Sequence, residues 1–277
     1  MRREIACDLP AFYDPAAILE PLAGVMDPEL DESIVDLGFV RSVRLRSGDA
    51  EVTLQLPTSW CAVNFAYLMA EDVRRALLTV KGIHHASIRL GDHCAAPEIE
   101  AAVNAGKAFA EAFPAERAGS LAALRLAFLR KGFLVRQERL LRDLRAAGWS
   151  PAAICALRIG DLSIENDVTV VRQPGAEPRT GGPAATLRRY LQRRGELDLD
   201  CGAGAWLIVD LKGKRVSEHR LDAHYKTART MRVALEANGL FCRALLSLRQ
   251  LADATPSGQD QGEGSETCTV RTDTISS

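Results

Sequence analysis

The sequence predicts an α+β fold: a small αββαβ sheet-and-helix domain, then a mainly helical second domain with a few short strands. Three observations predict it. Residues 39–46 (FVRSVRLR) and 51–56 (EVTLQL) alternate apolar and polar side chains, the period of half-buried strands. From about Ala62 the spacing becomes helical, with Val63, Tyr67, Ala70, Val73 and Leu77 on one face. After Gly119 a long helical stripe runs from Leu121 to Ala147.

The elements follow in order. Residues 1–13 read as a loose leader. Asp14 is an N-cap, and Pro15 at the first helical position begins a short helix to Gly24 with Ile18 and Leu22 facing inward. An acidic turn, Asp27-Pro-Glu-Leu, leads to Asp36-Leu-Gly38 and the first strand. Ser47-Gly48-Asp49 supplies hairpin turn chemistry. Pro57 ends the second strand because it has no N–H to donate. The helix from Ala62 stops near Gly82, and residues 84–90 (HHASIRL) form a third strand. A β-α-β crossover is right-handed, so this strand runs parallel to its partner. One helix is expected over residues 97–113. In the second half, helices are expected over 121–147, 151–157, 187–194 and 217–251, the last broken at Asn238-Gly239. Strands are expected at 168–171 and 205–211, with a loop over 174–183 and a turn at Lys212-Gly213.

Composition bounds the function classes. At 277 residues and 47% hydrophobic content the chain can bury one large or two modest cores. No run approaches the ~20 apolar residues of a membrane span, and the start lacks a signal-peptide core. A cytoplasmic location and no membrane partner are expected. Seven cysteines include no CxxC pair, which excludes a zinc ribbon or a complete local cluster motif and favours reduced thiols. Charge is uneven: residues 1–119 carry 11 Lys and Arg against 18 Asp and Glu, residues 120–252 carry 23 against 13, and residues 253–277 carry 1 against 5. The expected organisation is a domain over 1–118, a basic domain over 119–252, and a disordered tail over 253–277 rich in Gly, Ser and Thr. The two domains are expected to fold separately.

Cys61 stands at the strand-to-helix corner, where free N–H groups and the helix dipole favour a thiolate, so its pKa is expected below the usual ~8.5. The bland alternative is a buried small hydrophobe. Trp60 could lie over the sulfur and raise that pKa. Thr58 could hydrogen-bond the sulfur or cap the helix. Asp36 could face the corner or hold its own turn. Asp92-His93-Cys94 offers three ligand types at a strand end, or a solvated loop. Glu29, Asp31 and Glu32 could form an oxygen-rich patch, or a solvated acidic turn. Cys155 and Cys242 read as core.

DPEL, IVDLGFV and a hairpin ending in T-x-x-C, together spanning roughly Asp14 to Leu90, resemble the PaaD/SufT-like iron–sulfur-assembly family. Ser59-Trp60 stands where the family usually has Pro-Gly, and Ala62 where it has Pro. The resemblance implies a non-enzymatic maturation factor that handles iron or an iron–sulfur cluster in transit. It implies Cys61 as transfer ligand with Thr58 and Asp36 shaping its surroundings; His93 or Cys94, read from the residues alone, could join Cys61 as a metal ligand. The implied partner is a client metalloprotein, such as a monooxygenase component; a homodimer is compatible. Residues 147–171, 178–197 and 206–229 resemble the core of tyrosine recombinases, with Ser150 where those enzymes carry a catalytic arginine and no tyrosine nucleophile, so strand cleavage is not expected. The alternative function is a DNA-binding regulator with an iron- or redox-sensing N-terminal domain. Aromatics at 5% make nucleic-acid binding the weaker reading.

Overall fold

Strand β1 (Glu4–Asp8) precedes helix α1 (Pro15–Ala23), where Oδ1 of Asp14 accepts the Ala16 N–H at 2.9 Å and Pro15 takes the first position as predicted. We describe residues 4–8, 14–114, 121–173, 175–254 and 268–271 of a computed structural model. The expected leader and tail, and residues 115–120, lie largely outside these. Two short strands, β2 (Met26–Asp27) and β3 (Glu32–Ser33), pair across the acidic turn. Helix α2 (Ile34–Leu37) then ends on Gly38, whose φ of +78° is the left-handed stop that glycine tolerates.

The hairpin forms as predicted. Strands β4 (Val40–Arg46) and β5 (Asp49–Leu54) pair antiparallel, with Arg46 opposite Asp49. Ser47 (φ +52°) and Gly48 (φ +90°) form the two-residue turn whose twist matches the strands. Helix α3 (Val63–Leu77) crosses back, and β6 (His85–Leu90) pairs parallel to β5, Asp49 with His85 through to Leu54 with Leu90. Beyond it, α4 (Ala96–Asn104) seals the outer edge of β6. Asn104 bonds both backbone groups of Ile88 (2.8 and 3.1 Å), and Glu100 accepts the Leu90 N–H at 2.7 Å. The single helix expected over 97–113 is instead broken at Gly106 (φ +67°), and α5 (Phe109–Ala112) follows.

In the second half, α6 (Leu121–Ala146) and α7 (Pro151–Ala156) follow prediction, and Ser150 caps α7 through the Ala153 N–H at 3.3 Å. Strands β7 (Leu162–Glu165), β8 (Val168–Val171) and β9 (Arg179–Pro183) make an antiparallel sheet, although residues 174–183 were expected as loop. The glycines that suggested a loop have a packing reason: a Cβ on Gly182 would lie 2.6 Å from that of Asp143 on α6. After α8 (Ala184–Glu196), residues 205–211 form no strand. Ala205, Leu207, Ile208 and Val209 are buried, Trp206 is half-buried and Leu211 is exposed, and the backbone bonds are scattered: Leu207 N–H to Leu157, Val209 carbonyl to Gln137, and a turn at Lys212-Gly213 held by Asp210 Oδ1. Helix α9 (Glu218–Ala254) runs unbroken through Asn238-Gly239, contrary to expectation. Strand β10 (Cys268–Arg271), within the stretch expected to lack order, pairs antiparallel with β1. The first sheet has the order β10-β1-β4-β5-β6, with β1 parallel to β4. The fold is α+β.

The chain forms two compact units. One comprises residues up to Leu121 together with those from Ala237 on; the other is Ala122–Glu236. Residues 237–252, expected with the second domain, pack with the first, because Leu246 on α9 is 1% exposed inside the core of Phe39, Tyr67 and Ile88. The second unit has its own core, which includes Phe133, Leu141, Tyr190 and Leu207.

Candidate functional site at the Cys61 corner

Three segments of the first unit meet around Cys61. The first is the corner itself. After β5 the ladder gives one more bond, Gln55 N–H to Phe39, before Pro57 ends it. Residues 58–60 turn, and the Cys61 N–H meets the Thr58 carbonyl at 3.5 Å. Ala62 is the N-cap of α3 and has no side chain to cap with.

The second segment follows β6. Because β5 and β6 are parallel, their C-terminal ends emerge side by side, and the loop after Leu90 reaches the corner. Gly91 N–H donates to Leu54 at 2.9 Å and Cys94 N–H to Ser59 at 2.7 Å. His93 is 7% exposed. Its Nδ1 accepts the Ala95 N–H at 3.1 Å, so its Nε2 carries the proton and donates to the Cys61 carbonyl at 2.8 Å. Asp92-His93-Cys94 is thus brought to Cys61, but His93 serves as a strut with both ring nitrogens engaged. The Cys94 side chain is exposed.

The third segment is the acidic turn with the last part of α9. Asp27 is buried, and its Oδ1 accepts the N–H groups of Glu29 (2.9 Å) and Leu30 (2.8 Å). Burial lifts its carboxyl to about 6, against those two hydrogen bonds. Along α9, Arg243 pairs with Glu32 at 2.5 Å, Arg249 donates to the Leu56 carbonyl at 2.6 Å and pairs with Asp92, and Cys242 packs against the same core as Cys61. Gly239 is buried at this contact; a Cβ there would lie 3.2 Å from Glu32 Oε1.

These surroundings reverse the expected state of the thiol. Cys61 is pushed up to about 12, first by burial, then by the neighbouring Asp27 carboxylate, the Cys242 thiol and the Glu29 carboxylate; the Ala62 backbone N–H opposes them and loses. Trp60 is 76% exposed, so the ring is no lid over the sulfur. Thr58 meets Cys61 through its carbonyl. Asp36 lies exposed on α2, and Asp27 is the carboxylate whose charge acts most on the thiol. Sequence reasoning missed Asp27 and Cys242. The i, i+4, i+7 spacing of Cys242, Leu246 and Arg249 marks one helix face, but nothing local says what that face covers. Among the described residues, no three His, Cys, Asp or Glu side chains group as a metal-ion site.

A protonated thiol is a poor nucleophile. Iodoacetamide at pH 7.5 should therefore modify the exposed Cys94 and Cys201 well before Cys61, and the Cys61 rate should still be rising above pH 10. Peptide mapping of a time course checks the order; Cys61 reacting ahead of both would contradict it.

With this geometry in place, comparison with known proteins is decisive for the first part of the chain. Residues 15–90 match the family model described as iron–sulfur cluster assembly protein. Those residues are similar to an iron–sulfur cluster assembly domain and make up about a quarter of the chain. Two curated relatives, each named iron–sulfur cluster carrier protein, match over it. The one from Synechocystis is 32% identical over 74 residues, 27% of this chain and 20% of the relative. The one from Deinococcus radiodurans is 36% identical over 75 residues, 27% of this chain and 21% of the relative. The chain spans about a fifth of the length of the curated relatives it matches. No solved structure matches it significantly. The matched region ends at Leu90, so the His93 loop and the α9 segment lie outside it.

In the second unit, the arginines that suggested a nucleic-acid surface divide. Arg188 is exposed and pairs with Asp167 at 3.0 Å, and Arg189 is exposed. Arg193 is buried beside Glu196, and Arg194, 1% exposed, donates to the carbonyls of Trp206 (2.8 Å) and Leu207 (3.1 Å). Half of that basic helix face is structural. No helix among the described residues is long and apolar enough to cross a membrane.

Proposed function

We propose that this chain carries iron or an iron–sulfur cluster as cargo and passes it to a client metalloprotein in the cytoplasm, acting as a maturation factor without enzymatic turnover. The assembly-domain match over residues 15–90, with Cys61 at its strand-to-helix corner, carries this reading. Cys61 is the transfer ligand in the proposal. Thr58 and Asp36 shape the approach to it, and His93 and Cys94 hold or extend the neighbouring loop. An iron-dependent oxygenase component is the client class this reading favours.

The donors suit passage better than storage. Cys61 and Cys242 are two thiols on one core, short of the four thiolates that usually hold a cluster. Ligands from a donor or a client would have to complete the set, which leaves the cargo free to move on. Buried acidic surroundings keep Cys61 protonated until a cation arrives; iron then displaces the proton, because metal binding requires the thiolate.

The test is anaerobic incubation with ferrous iron and sulfide, followed by desalting and iron and sulfide analysis. Wild type should retain iron with visible sulfur-to-iron absorption. Cys61→Ser should lose most of both while keeping its circular dichroism spectrum and its melting temperature within a few degrees, since one sulfur is a small packing loss of roughly 1 kcal/mol. Equal retention by Cys61→Ser would remove that residue from the mechanism.

A further inference from the structure

The last part of α9 is apolar on two opposite faces. One face, carrying Cys242, Leu246 and Arg249, lies on the first unit. On the other, Ala237, Phe241, Ala244, Leu248 and Leu251 follow one another at spacings of four and three, and every one of them is exposed. Phe241 is 71% exposed, Leu248 64% and Leu251 61%, with Leu240 beside them at 66%. An exposed apolar stripe on a helix marks a surface for another element to cover, and alternating four-three spacing is the seam by which one helix packs on another.

We propose that this face is an interface between two copies of the chain, each laying its α9 seam against the other's. Self-pairing puts identical residues on both sides, so any charge along the seam would meet its own sign. There is none: the seam residues and their flanks Asn238, Leu240, Leu245 and Ser247 are all uncharged. The helix's cations at Arg243 and Arg249 are engaged on the opposite side, by Glu32 and by Leu56 and Asp92. The area is sufficient for a pair. Four side chains of this size, two-thirds exposed, offer roughly 500 Å² per copy, or about 1,000 Å² together, the lower limit of a specific interface.

The experiment is sedimentation velocity on the full chain from 1 to 100 µM, for wild type and Phe241→Glu/Leu248→Glu. The expected result is a shift from monomer toward twice the monomer mass as wild type is concentrated, and a variant that stays monomeric at 100 µM with an unchanged melting temperature. Wild type that is monomeric throughout, a mass other than double, or a dimer that survives both substitutions would overturn the proposal. Should the double variant melt early, Ala244→Cys decides instead. A seam centred on Ala244 yields a 244–244 disulfide on mild oxidation with diamide, seen by peptide mapping, and failure to form it overturns the pairing. The seam faces away from Cys242, so iron retention should be the same in the monomeric variant, which keeps this test separate from the one on Cys61.

Discussion

Replacing Arg232 with leucine is expected to destabilise the second unit by about 3–5 kcal/mol. Glu138 on α6 is wholly buried, and Arg232 Nε on α9 lies 2.7 Å from its Oε2, at ion-pair distance though without hydrogen-bond alignment. Removing the guanidinium leaves a carboxylate in the core with no counter-charge, and desolvation then dominates. Glu236, which pairs with Arg232 at 2.5 Å, is part-exposed and can turn to solvent, so its loss adds little. The double variant Glu138→Leu/Arg232→Leu should recover most of the stability, because an apolar pair needs no compensation. Urea denaturation of the four proteins completes the cycle. A single variant within 1 kcal/mol of wild type, or a double variant worse than Arg232→Leu, would show that the pair does not behave as a buried ion pair.

The second large effect has the opposite sign. Asp27→Asn is expected to stabilise the first unit at pH 7.5 by about 2–3 kcal/mol. Burial lifts the folded carboxyl from 3.8 to about 6, and each tenfold gain in proton affinity corresponds to about 1.4 kcal/mol. A carboxyl raised on folding favours the folded state below its unfolded pKa, and that contribution is lost as pH rises through the folded value. The penalty is therefore absent near pH 3.8 and complete by about pH 7. Asparagine keeps an oxygen to accept the Glu29 and Leu30 N–H groups and carries no charge at any of these pH values. The gain over wild type should be near zero at pH 4 and grow through pH 6. Chemical denaturation at pH 4, 5.5 and 7.5 measures it; a variant less stable than wild type at pH 7.5 would show that the ionised carboxylate is needed.

How far the sequence could be read depends on how local the cause is. The hairpin, its Ser47-Gly48 turn and the parallel return of β6 were legible because period-two alternation, turn chemistry and crossover handedness act within a few residues or through one connection. The apolar run 205–211 misled because burial alone cannot distinguish a strand from a loop whose backbone is satisfied piecemeal. The β9 glycines misled for the converse reason: Gly182 is required by the closeness of Asp143 and Gly181 by Val171 and Thr169, contacts no local pattern displays. At the site, Cys61 stood out from its position at a strand-to-helix corner, which the structure keeps. Its protonation was misjudged, because the dipole argument is local whereas the opposing burial comes from tertiary packing. Cys242 was read as core, and it is packed against core; which core, and beside which thiol, depends on a contact spanning most of the chain.

The sharing of α9 between the two units has a consequence for synthesis. A domain whose residues are contiguous can fold as soon as it clears the ribosome, but the first unit here is completed by Leu246, Arg243 and Arg249. Translation at about 5–20 residues per second puts roughly 10–30 s between the emergence of α5 and that of the end of α9. Throughout that interval the surface that will receive Leu246 is uncovered and Cys242 is not yet beside Cys61. The first unit thus cannot complete its core until the end of α9 has been made, although most of its residues are made first.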